Sequence, residues 1–266
     1  MIVGICGLGI VGNAVYSFMT NNNVEQVIVY DKYKQINSLD ALLCTDMLYI
    51  CISTPYVDTM KSYNMDETDT TLFLLNELNY AGIILIKSTV LPNYCETINN
   101  TYPALNIVHN PEFLSAATAP KDFSEQSHII LGYTEKTKTM VVNKVADFYS
   151  TLFPQAVISI SNSTTTALTK LACNSFYAAK VQFFTELYSL CSKIDIDFND
   201  VKELMLKNNW INPMHTSVPG PDGQISFGGE CLPKDINALN QFMILHNSYN
   251  SILEAVIQER NSIRKK

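Results

Sequence analysis

The stretch Phe227–Asp235, "FGGECLPKD", sets a cysteine between a glycine pair and a Lys-Asp pair. It reads either as a turn carrying a stray thiol or as a loop built to react. A thiol of ordinary pKa, about 8.5, is only a few per cent thiolate at neutral pH, so a reactive Cys231 needs positive charge nearby. Lys234 and Lys170 are the candidates. Lys170 and Asn174 stand four residues apart in a helical pattern and share one face. That face is either a narrow solvated stripe or a pair of donors aimed at an oxygen that becomes negative. Three further polar clusters follow apolar runs: Ser53-Thr54-Pro55 after "YICI", Lys87-Ser88-Thr89-Val90 after "IILI", and Asn110-Pro111-Glu112-Phe113-Leu114 after "NIVH". Singly, each is an ordinary strand end. Ligands of open parallel sheets gather outside the strands' carboxyl ends, however, and three such clusters together point to a shared site.

The elements that must position these residues are legible as periodicity. Short apolar runs at 2–6, 27–30, 47–52, 83–86, 106–109 and 128–132 alternate with helix-like segments, among them Asp66–Asn79 and Glu135–Tyr149. This alternation predicts a doubly wound, mostly parallel sheet of Rossmann type over residues 1–160. Residues 161–266 read as an all-helical central or dimerisation domain. It opens with a long helix over 162–194, capped by Asn162 or Ser163 and apolar on nearly all faces. Such a helix is buried, in its own lobe or against a second subunit. Shorter helices are expected at about 198–208, 234–247 and 250–264, with the Pro/Gly/Asn-rich segment 208–235 between the first two as a long loop, of a length that is usually functional or disordered.

The cofactor signal lies at the start. "GLGIVG" places Gly7, Gly9 and Gly12 directly after an apolar run, in the GxGxxG pattern that brings a pyrophosphate to a helix N-terminus. Asp31 ends the next strand-like run, where a carboxylate can accept hydrogen bonds from ribose hydroxyls, favouring NAD over its 2′-phosphorylated form. Lys32 and Lys34 weaken that preference.

Composition narrows the classes. Of 266 residues, 47% are hydrophobic and 16% charged, as in a globular chain. With 18 Lys+Arg against 25 Asp+Glu the formal charge is −7, leaving no broad basic field for nucleic acid or anionic lipid. The seven cysteines are scattered and never spaced as CxxC, which reads as reduced thiols in a cytoplasmic protein, with no disulfide frame and no metal site. The N-terminal run lacks a basic start, and no window approaches the roughly 18 apolar residues of a membrane span, so a soluble, unexported protein is expected.

Taken in order, "GLGIVG", "STP" at 53, "KSTV" at 87, "NPEFL" at 110, "KLACN" at 170 and "FGGECLPKD" at 227 resemble the UDP-glucose/GDP-mannose dehydrogenase family. The last motif is the most specific. The resemblance implies NAD-dependent oxidation of a nucleotide sugar's primary alcohol to a carboxylate, with UDP-glucose the expected substrate and UDP-glucuronate the product. Two hydride transfers would pass through a thiohemiacetal and a thioester on Cys231. Lys170 and Asn174 would stabilise the oxyanion, Asp235 would assist proton transfer, Glu112 would be the base for thioester hydrolysis, and Thr89 would hold the water. The implied cofactor positions are Gly7, Gly9, Ile10, Val11, Gly12, Asp31, Lys34, Thr54, Thr89 and Lys234. The implied substrate positions are Glu112, Phe113, Leu114, Lys170, Asn174 and Gly228, the last allowing backbone to approach the sugar. A homodimer through the helix at 162–194 is implied as well.

Two departures stand out. Ala116 occupies the place of the family's second acid, so hydrolysis would fall to Glu112 alone. The resemblance also implies that a further nucleotide-binding domain is missing after "SILEAVIQERNSIRKK". Two rival readings remain open: a one-step hydroxyacid-type dehydrogenase using Lys170, and a non-catalytic NAD-binding subunit whose partner supplies the nucleotide domain.

Overall fold

A computed structural model describes residues 1–22 and 24–264, in two compact units. The first comprises Met1–Pro55 and Tyr63–Lys170, the second Tyr56–Ser62 and Leu171–Lys266, whose last two lysines lie outside the described residues.

In the first unit come β1 (Ile2–Cys6), α1 (Ile10–Asn21), β2 (Gln26–Tyr30) and β3 (Met47–Ile50); the short hairpin strands β4 (Tyr56–Val57) and β5 (Ser62–Tyr63) follow in the chain and, up to Ser62, count with the second unit. Then come α2 (Asp66–Glu77), β6 (Ile83–Ile86), α3 (Tyr94–Thr101), β7 (Asn106–His109), α4 (Ala119–Ser124), β8 (His128–Tyr133), α5 (Thr139–Leu152) and β9 (Val157–Asn162). The main sheet runs β2-β1-β3-β6-β7-β8-β9. Its strands are apolar on both faces because helices cover both. Val3, Ile5, Met47 and Tyr49 pack with Val15, Phe18, Phe123 and Tyr149 on one side. Leu48, Ile50, Ile84 and Ile86 pack with Leu72, Leu75 and Cys95 on the other.

The Rossmann-type architecture stands, with one refinement. The pairs from β2 through β7 are parallel, but β8 pairs antiparallel to β7 and β9 runs parallel to β8, so the sheet is mixed. The connection from β7 to β8 holds only the short α4 (Ala119–Ser124). Strand β9 escaped the sequence reading because its "ISIS" alternation is that of an edge strand and not of an apolar run. Helix α5 begins four residues later than expected. Residues 134–137 form a turn in which Thr137 N–H bonds Thr134 C=O at 3.0 Å and Thr137 Oγ1 donates to Ile107 C=O at 2.7 Å.

Helix α6 (Ser163–Lys193) is continuous, and Asn162 is its cap, accepting from Thr165 N–H at 2.8 Å. Its apolar surface divides. Leu171, Ala178 and Phe184 are buried, whereas Phe176, Phe183 and Leu190 are 65%, 54% and 51% exposed. Helices α7 (Phe198–Leu206), α8 (Cys231–Leu245) and α9 (Ser251–Ile263) complete the second unit. Phe184, Cys191 and Phe198 form one small core, and Ala178, Phe227 and Ile236 another, flanked by Leu253 and Ile257. Helix α8 starts three residues earlier than expected. Pro233 in its first turn removes an N–H that has no intrahelical acceptor there, so the proline does not delay the helix.

Candidate active site

The glycine motif forms the turn that the spacing predicts. Gly7 adopts φ +91°, and a Cβ at Gly12 would stand 1.9 Å from the Gly7 carbonyl oxygen, so α1 meets β1 only if residue 12 is glycine. A Cβ at Gly9 would meet nothing within 4 Å, which leaves open space at the uncapped N-terminus of α1. At the end of β2, Asp31 accepts from Leu8 N–H at 2.7 Å, Tyr33 N–H at 3.0 Å and Lys34 N–H at 2.9 Å. Burial alone would raise the Asp31 carboxyl, but these three donors outweigh it, and the net direction is down. Lys34 Nζ closes the loop on the Leu8 carbonyl at 2.6 Å. A cradle open at Gly9, free N–H donors and a fixed anionic carboxylate fit the pyrophosphate and ribose of a dinucleotide.

The three strand-end clusters leave the adjacent parallel strands β3, β6 and β7. Thr54 Oγ1 donates to Thr89 C=O at 2.7 Å, and Ser88 Oγ to Ile52 C=O at 2.7 Å, which ties the loops after β3 and β6 together. Glu112 Oε2 accepts from Leu114 N–H at 2.5 Å, while Oε1 faces Lys170 Nζ at 3.5 Å. The two side chains are 10% and 5% exposed, so each charge is buried against the other. Lys170 Nζ also lies 5.1 Å from the Phe113 ring centre. Helix α6 is held in place to present Lys170 by His109 Nδ1 and Thr166 Oγ1, 2.7 Å apart. Burial, helped by Lys87 and Lys170, pushes the His109 imidazole down to about 3, so it is neutral here.

In the helical unit, Asp235 is fully buried and accepts from Asn174 Nδ2 at 2.5 Å and from Lys234 Nζ at 2.5 Å. Cys231 is the first residue of α8, one turn before Asp235, and is exposed. A helix N-terminus favours an anion through its free N–H groups, and thiolates are stabilised at such positions. Burial pushes the Cys6 and Cys51 thiols up to about 12, where they are inert. Gly229, with φ +72°, makes the turn into the helix. Gly228 is glycine for a reason that the sequence did not disclose, because a Cβ there would stand 2.0 Å from Arg264 Nη1.

The first unit thus brings together Glu112, Phe113, Leu114 and Lys170, pairs Thr54 with Thr89, and joins Asp31 to Lys34 through the glycine loop. The second joins Asn174, Lys234 and Asp235 beside Cys231. Sequence reasoning placed Lys87 and Asn110 in strand-end clusters without giving either a role, and passed over Tyr149. Lys87 Nζ donates to the Asn110 carbonyl at 3.3 Å, Asn110 Nδ2 to Ile130 C=O at 2.9 Å, and Tyr149 Oη to Asn110 Oδ1 at 2.5 Å. They anchor the loop that carries Glu112. The available signal was a lysine directly after an all-apolar strand, where a charge needs a partner.

Such a doubly wound domain with a glycine cradle and a carboxylate after β2, followed by a helical unit, defines a dinucleotide-binding protein of two units. The profile of the UDP-glucose/GDP-mannose dehydrogenase family's NAD binding domain matches residues 24–153, and that of its central domain residues 164–262. The chain belongs to this family, and NAD is its cofactor. Among relatives, UDP-glucose 6-dehydrogenase of Rickettsia prowazekii (strain Madrid E) is 32% identical over 82% of this chain and 50% of its own length. That of Rickettsia felis is 29% identical over 92% of this chain and 54% of its own. The chain therefore spans about half the length of these curated relatives. A UDP-glucose dehydrogenase structure from Pyrobaculum islandicum superposes with a TM-score of 0.86 over 98% of this chain and 68% of that one; at 20% identity the likeness speaks for the fold. Among the described residues, no helix is long and apolar enough to cross a membrane.

Proposed function

We propose that the chain is a nucleotide-sugar 6-dehydrogenase that converts UDP-glucose to UDP-glucuronate through a covalent adduct on Cys231. The reading rests above all on one observation: an exposed cysteine at a helix N-terminus, one turn from a buried Asp235 that Asn174 and Lys234 hold. Its chemistry uses each residue singled out by type. Cys231 Sγ, as thiolate, bonds the carbon of the intermediate aldehyde, and the carbonyl electron pair moves onto oxygen. Lys170 and Asn174 donate to that oxygen, and the alkoxide is worth most to stabilise where water is excluded. NAD supplies the hydride acceptor for the oxidations before and after this adduct. In the last step a water held beside Thr89 attacks the thioester, Glu112 takes its proton, and Sγ leaves as thiolate. Asp235 relays the proton at Cys231. With Ala116 where a second acid would stand, Glu112 acts alone, and hydrolysis is the expected slow step.

The exposed Phe176, Phe183 and Leu190 recur every seven residues on α6, the spacing of a helix face that packs on a partner. They support a homodimer through this helix, as the reduced-thiol cysteine usage supports a cytoplasmic setting. The stoichiometry of NADH per UDP-glucose tests the function. Two NADH with UDP-glucuronate formed, and no acid from Cys231→Ser, is the expected result. One NADH, insensitive to thiol alkylation, replaces the reading with a single-step dehydrogenase, and NAD binding without turnover replaces it with a binding subunit.

A further inference from the structure

The loop before Cys231 has almost no regular structure, yet one side chain organises it. Arg264, just past the end of α9, donates from Nε to Ile225 C=O at 2.8 Å and from Nη2 to Ser226 C=O at 2.7 Å. The same guanidinium grips the Asp222 carboxylate at both oxygens, Nη1 to Oδ2 at 2.6 Å and Nη2 to Oδ1 at 3.2 Å. One turn earlier on α9, Arg260 Nε donates to Phe227 C=O at 3.4 Å, and its guanidinium lies 6.0 Å from the Phe227 ring centre. On the far side, Ser226 N–H bonds Thr185 Oγ1 at 3.1 Å and Ser226 Oγ donates to Gln182 Oε1 at 2.6 Å, both on α6.

The loop from Asp222 to Phe227 is therefore held between α6 and α9, with a planar fork making two carbonyl bonds and one bidentate carboxylate pair. A lysine has neither the fork nor the number of donors for this. The Arg264 hydrogen bond also keeps the Asp222 carboxyl below its ordinary range. Gly228 leaves room for this arrangement, since a Cβ there would have to displace the guanidinium from its place 2.0 Å away. Three residues further on stands Cys231.

We infer that Arg264, seconded by Arg260, is a positioning residue for the cysteine loop: its guanidinium sets the course of Asp222–Gly228 and thereby the place of the backbone that delivers Cys231. The fork acts on the loop alone and touches no reacting atom. Its effect on catalysis rests on the proposed role of Cys231, whereas the positioning itself does not.

Hydrogen exchange resolved by peptide, on the full chain, separates the two. In Arg264→Lys and Arg264→Met, the amides of 223–231 are expected to exchange at least about tenfold faster, because bonds from a charged donor are lost. Those of β6 and of the α6 centre should be unchanged. Asp222→Asn, which spares the two carbonyl bonds, is expected to give a smaller rise and keeps the test decidable if Arg264→Met does not fold. Equal exchange in all proteins overturns the inference, and so does a uniform rise through the whole second unit, which would make Arg264 a general stabiliser. In turnover, Arg264→Lys should lower kcat for acid formation with KM for NAD unchanged. If the wild type forms no acid, the proposed function fails, and the exchange comparison still decides the role of Arg264.

Discussion

Lys87 carries a prediction that can be worked through in numbers. Its ammonium is buried at the end of β6, with the Asn110 carbonyl as acceptor and the Tyr49 and Phe123 rings 5.9 and 5.4 Å away. Burial lowers its pKa from 10.5 to about 8; Cys51 and Glu112 oppose the shift and Lys170 adds to it. A fall of that size corresponds to about 3 kcal/mol of folding free energy spent on keeping the charge inside at neutral pH. The sign follows from proton counting. Below about 8 both folded and unfolded chains hold the proton and the full cost is present. Between about 8 and 10.5 the unfolded chain holds more protons than the folded one, so stability rises with pH and the cost disappears. Lys87→Met keeps the length and apolar stem, removes the charge and loses the bond to Asn110, itself worth about 1.5–3 kcal/mol. Urea unfolding by far-UV circular dichroism should therefore show the wild type gaining about 3 kcal/mol relative to Lys87→Met between pH 7 and 11. Titrating groups that do not interact with Lys87 cancel in this difference. Parallel stability curves for the two proteins would refute the reasoning, because they would mean that Lys87 is not held charged at a cost.

The glycine motif makes a paired prediction. Gly12→Ala should lower the melting temperature and abolish NAD binding, since its Cβ would meet the Gly7 carbonyl, whereas Gly9→Ala, facing open space, should melt like the wild type and still bind NAD at least about tenfold more weakly by fluorescence titration. For the helix face, the proposed homodimer predicts that the wild type is dimeric and Phe183→Glu monomeric in light scattering without loss of helical signal; a wild-type monomer would end that reading.

Residue types and spacing alone determined a good deal. Apolar runs broken by Gly7, Gly9 and Gly12 specify a strand, a tight turn and a helix, because only a residue without Cβ fits where α1 meets β1. Asn162 marked the start of α6, since a short polar side chain can satisfy a free N–H of the first turn. The strand-end motifs named residues that the fold pairs, Thr54 with Thr89 and Glu112 with Lys170. The tertiary structure decided the rest, and for one reason: pairing between segments distant in sequence leaves no local signal. Nothing in "HIILG" announces that β8 runs against β7, because direction depends on the path of the connection and not on the strand's own residues. Nor does "KSTV" announce that Lys87 serves the Asn110 carbonyl, or "FGGECLPKD" that its first helical residue is Cys231 and that Gly228 makes room for an arginine from the end of α9. In that stretch the sequence singled out Cys231 by its type and neighbours, while the bonds from Arg264 to Ile225, Ser226 and Asp222 appear only in the fold.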